Sequence, residues 1–317
     1  MNAEQVPQRN LRFSRRRWFR ESLTGGGVGL ALLGTNVHAD VLTVLPGAAG
    51  APGPDYRVTQ GRVRQSVMAW CFQPMPMEEL IPACGKMGLV AMEGIDKKYY
   101  PLMKRHGLAV SICGSHSFGK GPINRDHHEH CARQLRDGID LAAQWNCPGV
   151  ITFTGMREAG ISDEQARQNC VACWKSVCEY AEEKGINVVL EMLNTRDSSH
   201  PMKGHPGYFG DDIDLCIDMI RAVDSPRMKL LFDVYHVQVM HGDVIRRFRE
   251  QREFISHVHT AGNPGRGELD ASQELNYRAI IAAILDTGFD GYVAQEFIPT
   301  WEDKLAALRH AVQVCDL

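Results

Sequence analysis

The chain has 317 residues, 44% of them hydrophobic and 23% charged, with a formal net charge of -3 and a pI near 6.5. These values fall in the range of globular proteins and allow one large core or two small ones. The near-neutral balance gives no overall pull towards nucleic acid or an anionic membrane, so a polyanionic partner is not expected.

The N-terminus departs from this balance. Ser14-Arg15-Arg16-Arg17-Trp18-Phe19-Arg20 precedes the weakly apolar run GGGVGLALLG and then Val37-His38-Ala39. A basic region, a hydrophobic region and a small-residue cleavage site in that order resemble a twin-arginine export signal. The apolar run is shorter than the roughly 20 residues of a spanning helix. The resemblance implies a signal over 1–39, the twin-arginine export machinery as a partner, a periplasmic location after cleavage at Ala39, and membrane anchoring if the signal stays. Residues 40–62, with APGP, read as a linker, and 63–317 as one domain.

In that domain, strand-like runs alternate with helix-like runs, as in β/α units around a parallel sheet. Eight strands are predicted at 64–72, 89–95, 108–116, 148–155, 186–194, 228–236, 255–262 and 291–297. The helix in DEQARQNCVACWKSVCEYAEEKG has Ser162 as its N-cap and Gly185 as its C-terminal stop. Eight units over about 255 residues match a single-domain α/β fold, the (β/α)8 TIM barrel. No GxGxxG loop follows the first strand, which argues against a doubly wound open sheet. The ten cysteines are scattered through strands and helices, and Cys170-x-x-Cys173 has no second pair at zinc-site spacing, so buried free thiols are expected.

Four of these strands end in metal-binding side chains: Glu191 in NVVLEML, Asp233 in KLLFDVYH, His259 in SHVHTAG and Glu296 in YVAQEF. Singly, each has a plainer reading as a solvated loop carboxylate, a cap or a hydrogen-bonded core histidine. Together they occupy the C-terminal ends of consecutive strands, which converge on one barrel mouth. A carboxylate in VVLEML would sit unpaired in a buried strand at a cost of several kcal/mol, and a cation offsets that cost. Trp70, Glu93 and His116 fall near the ends of the first three strands and are expected to line a small polar substrate pocket. His127, His128 and His130 open a helix and read as solvent-facing.

Several stretches resemble the hydroxypyruvate isomerase branch of the xylose isomerase-like TIM-barrel superfamily: LEMLNTRD at 190–197, PGYF at 206–209, FDVYHVQ at 232–238, NPGR at 263–266, ELNY at 274–277 and QEFIP at 295–299. The resemblance implies one divalent ion, Mn2+, Mg2+ or another transition metal, on Glu191, Asp233, His259 and Glu296. It also implies that Glu191 and Glu296 form an acid/base pair and that His236 and Arg266 bind substrate oxygens. The implied reaction interconverts hydroxypyruvate and tartronate semialdehyde through an enediolate, in a homo-oligomer. Two departures stand out. Hydroxypyruvate isomerases commonly carry glutamine where His259 stands and ketose epimerases carry histidine, which favours manganese or another transition metal. The segment SSHPMKGH enlarges the loop before Pro206, and His200 and His205 on it read as parts of a polar lid. A ketose or keto-sugar 3-epimerase and a non-catalytic sugar-binding barrel stay open as alternatives. A phosphodiester nuclease of the related barrel type lacks its basic footprint.

Overall fold

Eight parallel strands follow one another in chain order: β1 (Arg64–Val67), β2 (Ala91–Met92), β3 (Ala109–Val110), β4 (Gly149–Thr152), β5 (Asn187–Glu191), β6 (Met228–Asp233), β7 (Ile255–Thr260) and β8 (Tyr292–Gln295). The computed structural model describes Gly53 and residues 55–317, so the signal reading of 1–39 and most of the linker lie outside the described residues. Six strands pair in the order β1-β8-β7-β6-β5-β4, and β2 pairs with β3. Parallel bridges Met68–Glu93 and Cys113–Val150 join the two groups. Backbone bonds from Glu93 N to Val67 O (3.0 Å) and from Cys113 N to Gly149 O (2.9 Å) complete the ring. The result is a (β/α)8 barrel.

Helices α1 (Met77–Met87), α2 (Tyr100–Arg105), α3 (His128–Gln144), α4 (Asp163–Lys184), α5 (Ile213–Val223), α6 (Val234–Met240), α7 (Val244–Glu250), α8 (Tyr277–Asp286) and α9 (Lys304–Val314) lie between and after the strands. The predicted ends of α4 are observed. Ser162 Oγ accepts from Gln165 N at 3.2 Å, and Gly185 turns left-handed at φ 71°, a conformation that costs a residue with a Cβ.

All eight strands are shorter than expected, and β1, β2, β3 and β6 show the reasons. β1 gives way to a 3-10 turn at Ala69–Phe72, and β2 and β3 keep two residues each, with single bridges carrying the rest of the barrel wall. β6 stops at Asp233, and the β-branched run VYHVQVM continues as α6. Asp233 is the cause: its Oδ1 accepts from His236 N at 3.0 Å and caps the new helix. Tertiary position overrides the strand propensity of the valines.

All ten cysteines are buried and unpaired, as composition and placement implied. The end of the segment read as a linker is attached to the barrel. Asp316 accepts from Tyr56 Oη (2.8 Å), Thr59 N (2.6 Å) and Gly61 N (3.0 Å).

Side chains alternate in and out along each strand, so Val189 and Glu191, Leu231 and Asp233, and His257 and His259 share the inner face in pairs. Ile112, Val189 and Leu231 form an apolar cluster with Ile151. On the other side of the barrel Ser66, Ser111, Glu93, His257 and His259 are all buried. Beneath the strand ends, the barrel interior is thus apolar around Ile112, Ile151, Val189 and Leu231 and polar around Ser66, Glu93, Ser111 and His257.

Candidate active site

The register staggers the four strand-end residues. Asp233 pairs with His259, but Glu191 pairs with Leu231 and His259 with Ala294. Strand tilt in a barrel compensates for such offsets, and one donor atom from each of Glu191, Asp233, His259 and Glu296 lies within 4.8 Å of the others. Metal–oxygen and metal–nitrogen bonds of about 2.0–2.2 Å span a donor shell of about that diameter.

His259 is held by its far nitrogen. Nε2 lies 2.6 Å from Glu93 Oε1, so it carries the proton and leaves Nδ1 facing Glu296 Oε2 (2.6 Å), Glu191 Oε1 (3.3 Å) and Asp233 Oδ2 (4.0 Å). Glu93 is completely buried. Its second oxygen receives Ser111 Oγ at 2.5 Å and lies 2.9 Å from His257 Nε2. Burial opposes ionisation of Glu93, but His257 and His259 outweigh it and hold the carboxyl well below its usual range. This is the carboxylate–imidazole arrangement that fixes the tautomer of a metal-binding histidine. Glu93, expected at the pocket wall, is therefore a positioning group behind the site.

Arg266 closes the cluster from the other side. It follows cis Asn263–Pro264, takes a left-handed φ of 55°, and is 2% exposed. Its Nη2 contacts Glu296 Oε2 (2.5 Å) and Asp233 Oδ2 (3.3 Å). The rings of Trp70 and Tyr235 flank the guanidinium at 5.7 Å each, a cation–π enclosure.

The carboxylates differ in proton affinity. Burial, reinforced by the Glu296 charge, pushes Glu191 up to about 7, and burial against Arg266 leaves Asp233 at about 6. Glu296 also suffers burial, but Arg266 and His259 bring it down to about 2. Burial would lower His259, yet Glu296 and Glu93 outweigh it and hold the imidazole well above its usual value.

The residues fit a divalent ion. Glu191 Oε1 and His259 Nδ1 are buried without a hydrogen-bond partner among the described residues, although both belong to the converging set. Three carboxylates, Glu191, Asp233 and Glu296, face the single permanent cation Arg266. A charge of +2 beside a neutral His259 balances them, whereas without it the site must keep protons on groups that would otherwise ionise.

A cavity of about 220 Å3 opens beside the cluster, and Glu191, Glu296, Arg266, Trp70 and His205 are among the residues that line it. His205, which the sequence places on a polar lid, lines the cavity. Its ring lies 4.5 Å from that of Phe118, and burial brings its pKa down to about 4, leaving a neutral imidazole. The signal in the sequence was the enlarged loop, which did not say which histidine turns inward. His200 stays exposed, its Nδ1 accepting from Met202 N at 3.1 Å.

That loop is fastened over the mouth. Arg266 Nη1 reaches Met202 O (2.5 Å), Asn194 Nδ2 reaches Lys203 O (2.7 Å), and Tyr235 Oη reaches Asp197 Oδ2 (2.9 Å).

Other expected residues settle elsewhere. His236 is fully buried behind the cavity wall. Its Nδ1 accepts from Asn194 N at 3.0 Å, so Nε2 carries the proton, without a hydrogen-bond partner among the described residues, 3.6 Å from Asp233 Oδ2. Burial keeps this imidazole neutral. His116, also expected at the wall, is turned away: Nε2 meets Thr152 Oγ1 at 2.9 Å and Nδ1 meets Ser117 O at 3.2 Å. His127 and His128 are half-buried, not solvent-facing, because they bond the Gly121 and Pro122 carbonyls. His130 is half-buried too.

The fold and the strand-end cluster place the chain in a class of β/α barrel proteins, and sequence comparison identifies the family. The chain belongs to the xylose isomerase-like TIM barrel family, whose profile matches residues 82–315. It is 34% identical over 119 residues to a 2-oxo-tetronate isomerase of Cupriavidus necator, covering 38% of this chain and 43% of the relative. It is 28% identical over 166 residues to a Drosophila melanogaster protein provisionally named hydroxypyruvate isomerase, covering 52% and 60%. The chain thus spans about half the length of these curated relatives. Among solved structures, 3-keto-D-glucoside 4-epimerase from E. coli superposes with a TM-score of 0.67 at 19% identity, over 79% of this chain and 98% of that one. This last likeness concerns the fold alone.

Proposed function

We propose that the protein is a divalent-metal-dependent isomerase of a small hydroxy-carbonyl compound, with hydroxypyruvate and tartronate semialdehyde as the reference pair. The observation that carries the reading is geometric: Glu191, Asp233, His259 and Glu296 bring one donor atom each within 4.8 Å of the others, and Glu191 and Glu296 also line the cavity beside them. Two carboxyl groups at one cavity can serve as the base and the acid of a proton transfer. One carboxylate takes the proton from the carbon bearing the hydroxyl, an enediolate forms, and the partner acid returns a proton to the neighbouring carbon. Glu191, Asp233, His259 and Glu296 would hold a divalent ion, which would supply Lewis-acid stabilisation of negative charge on the substrate oxygens. Arg266 and His205 offer N–H groups at the cavity to orient substrate oxygens. The names of the sequence relatives agree with this chemistry.

The test is solvent-deuterium incorporation into hydroxypyruvate by protein loaded with Mn2+ or Mg2+. Incorporation with carbonyl migration is expected, and a Glu191→Gln/Glu296→Gln double variant should lose it. Full turnover by that variant rules out the acid/base assignment. Free ketoses are screened beside hydroxypyruvate, and exchange into a ketose with inversion at one carbon and no carbonyl movement assigns an epimerase.

A further inference from the structure

The segment from Asn194 to His205 is wound about one side chain. Asn194 is fully buried. Its Oδ1 accepts from Asp197 N (3.0 Å), its Nδ2 donates to Lys203 O (2.7 Å), and its carbonyl accepts from His205 N (2.8 Å). Gly204 passes so close that a Cβ there would meet the Asp197 carbonyl and Asn194 Oδ1. The turn thus delivers His205 to a fixed place, where its ring packs on Phe118 and lines the cavity. The residue is 6% exposed, and neither ring nitrogen has a hydrogen-bond partner among the described residues. Arg266, on the same cavity, is already engaged: Nη2 bonds Glu296 and Asp233, and Nη1 bonds Met202 O. Burial and the Arg266 charge keep His205 neutral, so it carries one N–H and one bare nitrogen. A buried donor without an acceptor costs free energy that a ligand oxygen can recover.

Resting on the isomerase reading, we infer that His205 sets substrate specificity: its N–H receives a carboxylate oxygen of a 3-hydroxy-2-oxo acid. The carbons that exchange a proton must lie against Glu191 and Glu296, which belong to the donor cluster, whereas His205 stands outside that cluster on the loop after β5. In hydroxypyruvate the reacting pair carries one hydroxyl and one carbonyl oxygen, and the carboxylate is the group left to meet His205. The charge balance admits an anion there, because Arg266 and a divalent ion together offset Glu191, Asp233 and Glu296. A hydrogen bond to a carboxylate is stronger than one to a hydroxyl. Loss of the N–H therefore weakens a carboxylate substrate about 10–100-fold, and one with a hydroxyl in its place only about fivefold.

The experiment measures solvent-deuterium exchange at the hydroxymethyl carbon of hydroxypyruvate and of dihydroxyacetone by the metal-loaded protein. The two compounds share a hydroxymethyl-ketone head, and a second hydroxymethyl group replaces the carboxylate in dihydroxyacetone. The wild type should favour hydroxypyruvate in kcat/KM at least about fivefold. His205→Phe keeps a ring against Phe118 and removes both nitrogens. It should lower kcat/KM about 10–100-fold for hydroxypyruvate and about fivefold for dihydroxyacetone. His205→Gln retains an N–H and should recover most of the preference. His205→Ala, which adds no bulk, repeats the comparison if circular dichroism shows His205→Phe unfolded. No preference in the wild type, equal losses on both substrates, or no recovery in His205→Gln overturns the inference and leaves the isomerase reading standing. If the wild type exchanges neither compound, the isomerase reading fails. Calorimetric titration with pyruvate, a 2-oxo acid without the hydroxyl, then decides the inference. Binding at least about tenfold weaker in His205→Phe sustains it, and equal binding, or none by the wild type, overturns it.

Discussion

Glu93→Gln preserves the shape of a completely buried side chain and removes its charge. In the wild type the carboxylate holds His259 Nε2 at 2.6 Å, stands 2.9 Å from His257 Nε2, and accepts from Ser111. A glutamine can still accept from His259 with one atom, but its NH2 then confronts His257 and the Ser111 hydroxyl. The imidazole loses an anion that makes Nδ1 more basic and fixes its direction. Loss of such a supporting group typically costs about 10–100-fold in metal affinity, or about 1.4–2.7 kcal/mol. Competition titration of Mn2+ against a fluorescent chelator measures the change, with far- and near-ultraviolet circular dichroism of the metal-free protein confirming that the barrel is folded. A folded Glu93→Gln protein whose Mn2+ affinity stays within about threefold of wild type would refute the positioning role.

Metal affinity should also depend on pH with a definite sign. Glu191 at about 7 and Asp233 at about 6 hold protons in the metal-free site, and an entering ion must displace them. Affinity therefore falls as pH drops below about 7, by at least about one decade per pH unit, and isothermal titration in buffers of differing ionisation enthalpy should show proton release; pH-independent affinity between 5.5 and 7.5 would contradict the charge balance. Gly204→Ala should destabilise the loop over the mouth, because a Cβ there collides with the Asp197 carbonyl and Asn194 Oδ1. A loss of about 1–3 kcal/mol in denaturant unfolding is expected, and an unchanged midpoint would show that the loop yields freely. For the N-terminus, Arg15→Lys/Arg16→Lys should retain the protein in the cytoplasm on fractionation, whereas undiminished export would dismiss the twin-arginine reading.

The alternation of strand and helix patterns was enough to predict the barrel, because eight hydrophobic runs at regular spacing leave few ways to bury them. Its short strands were not legible. Ala91–Met92 and Ala109–Val110 look no shorter in sequence than their neighbours, and single bridges complete the wall there. The β6-to-α6 boundary was hidden because Val234, Val237 and Val239 favour a strand, while the deciding contact is a cap between Asp233 and His236 N.

At the site, the sequence by itself determined that Glu191, Asp233, His259 and Glu296 belong together, since a carboxylate or imidazole closing a buried parallel strand has no partner within its own unit. Ten cysteines scattered without pairing likewise pointed to thiols, and all ten are buried and unpaired. Tertiary structure alone decided which further polar residues join the site. Glu93 and His116 stand at strand ends equivalent to those of the four converging residues, yet Glu93 turns to His259 and His116 to Thr152. His205, on a loop with no periodicity, is carried into the cavity by loop contacts from Arg266, Asn194 and Tyr235. Strand position states how high a residue sits in a barrel, but where its side chain points at the mouth depends on partners from other units, and these are set only when the ring closes.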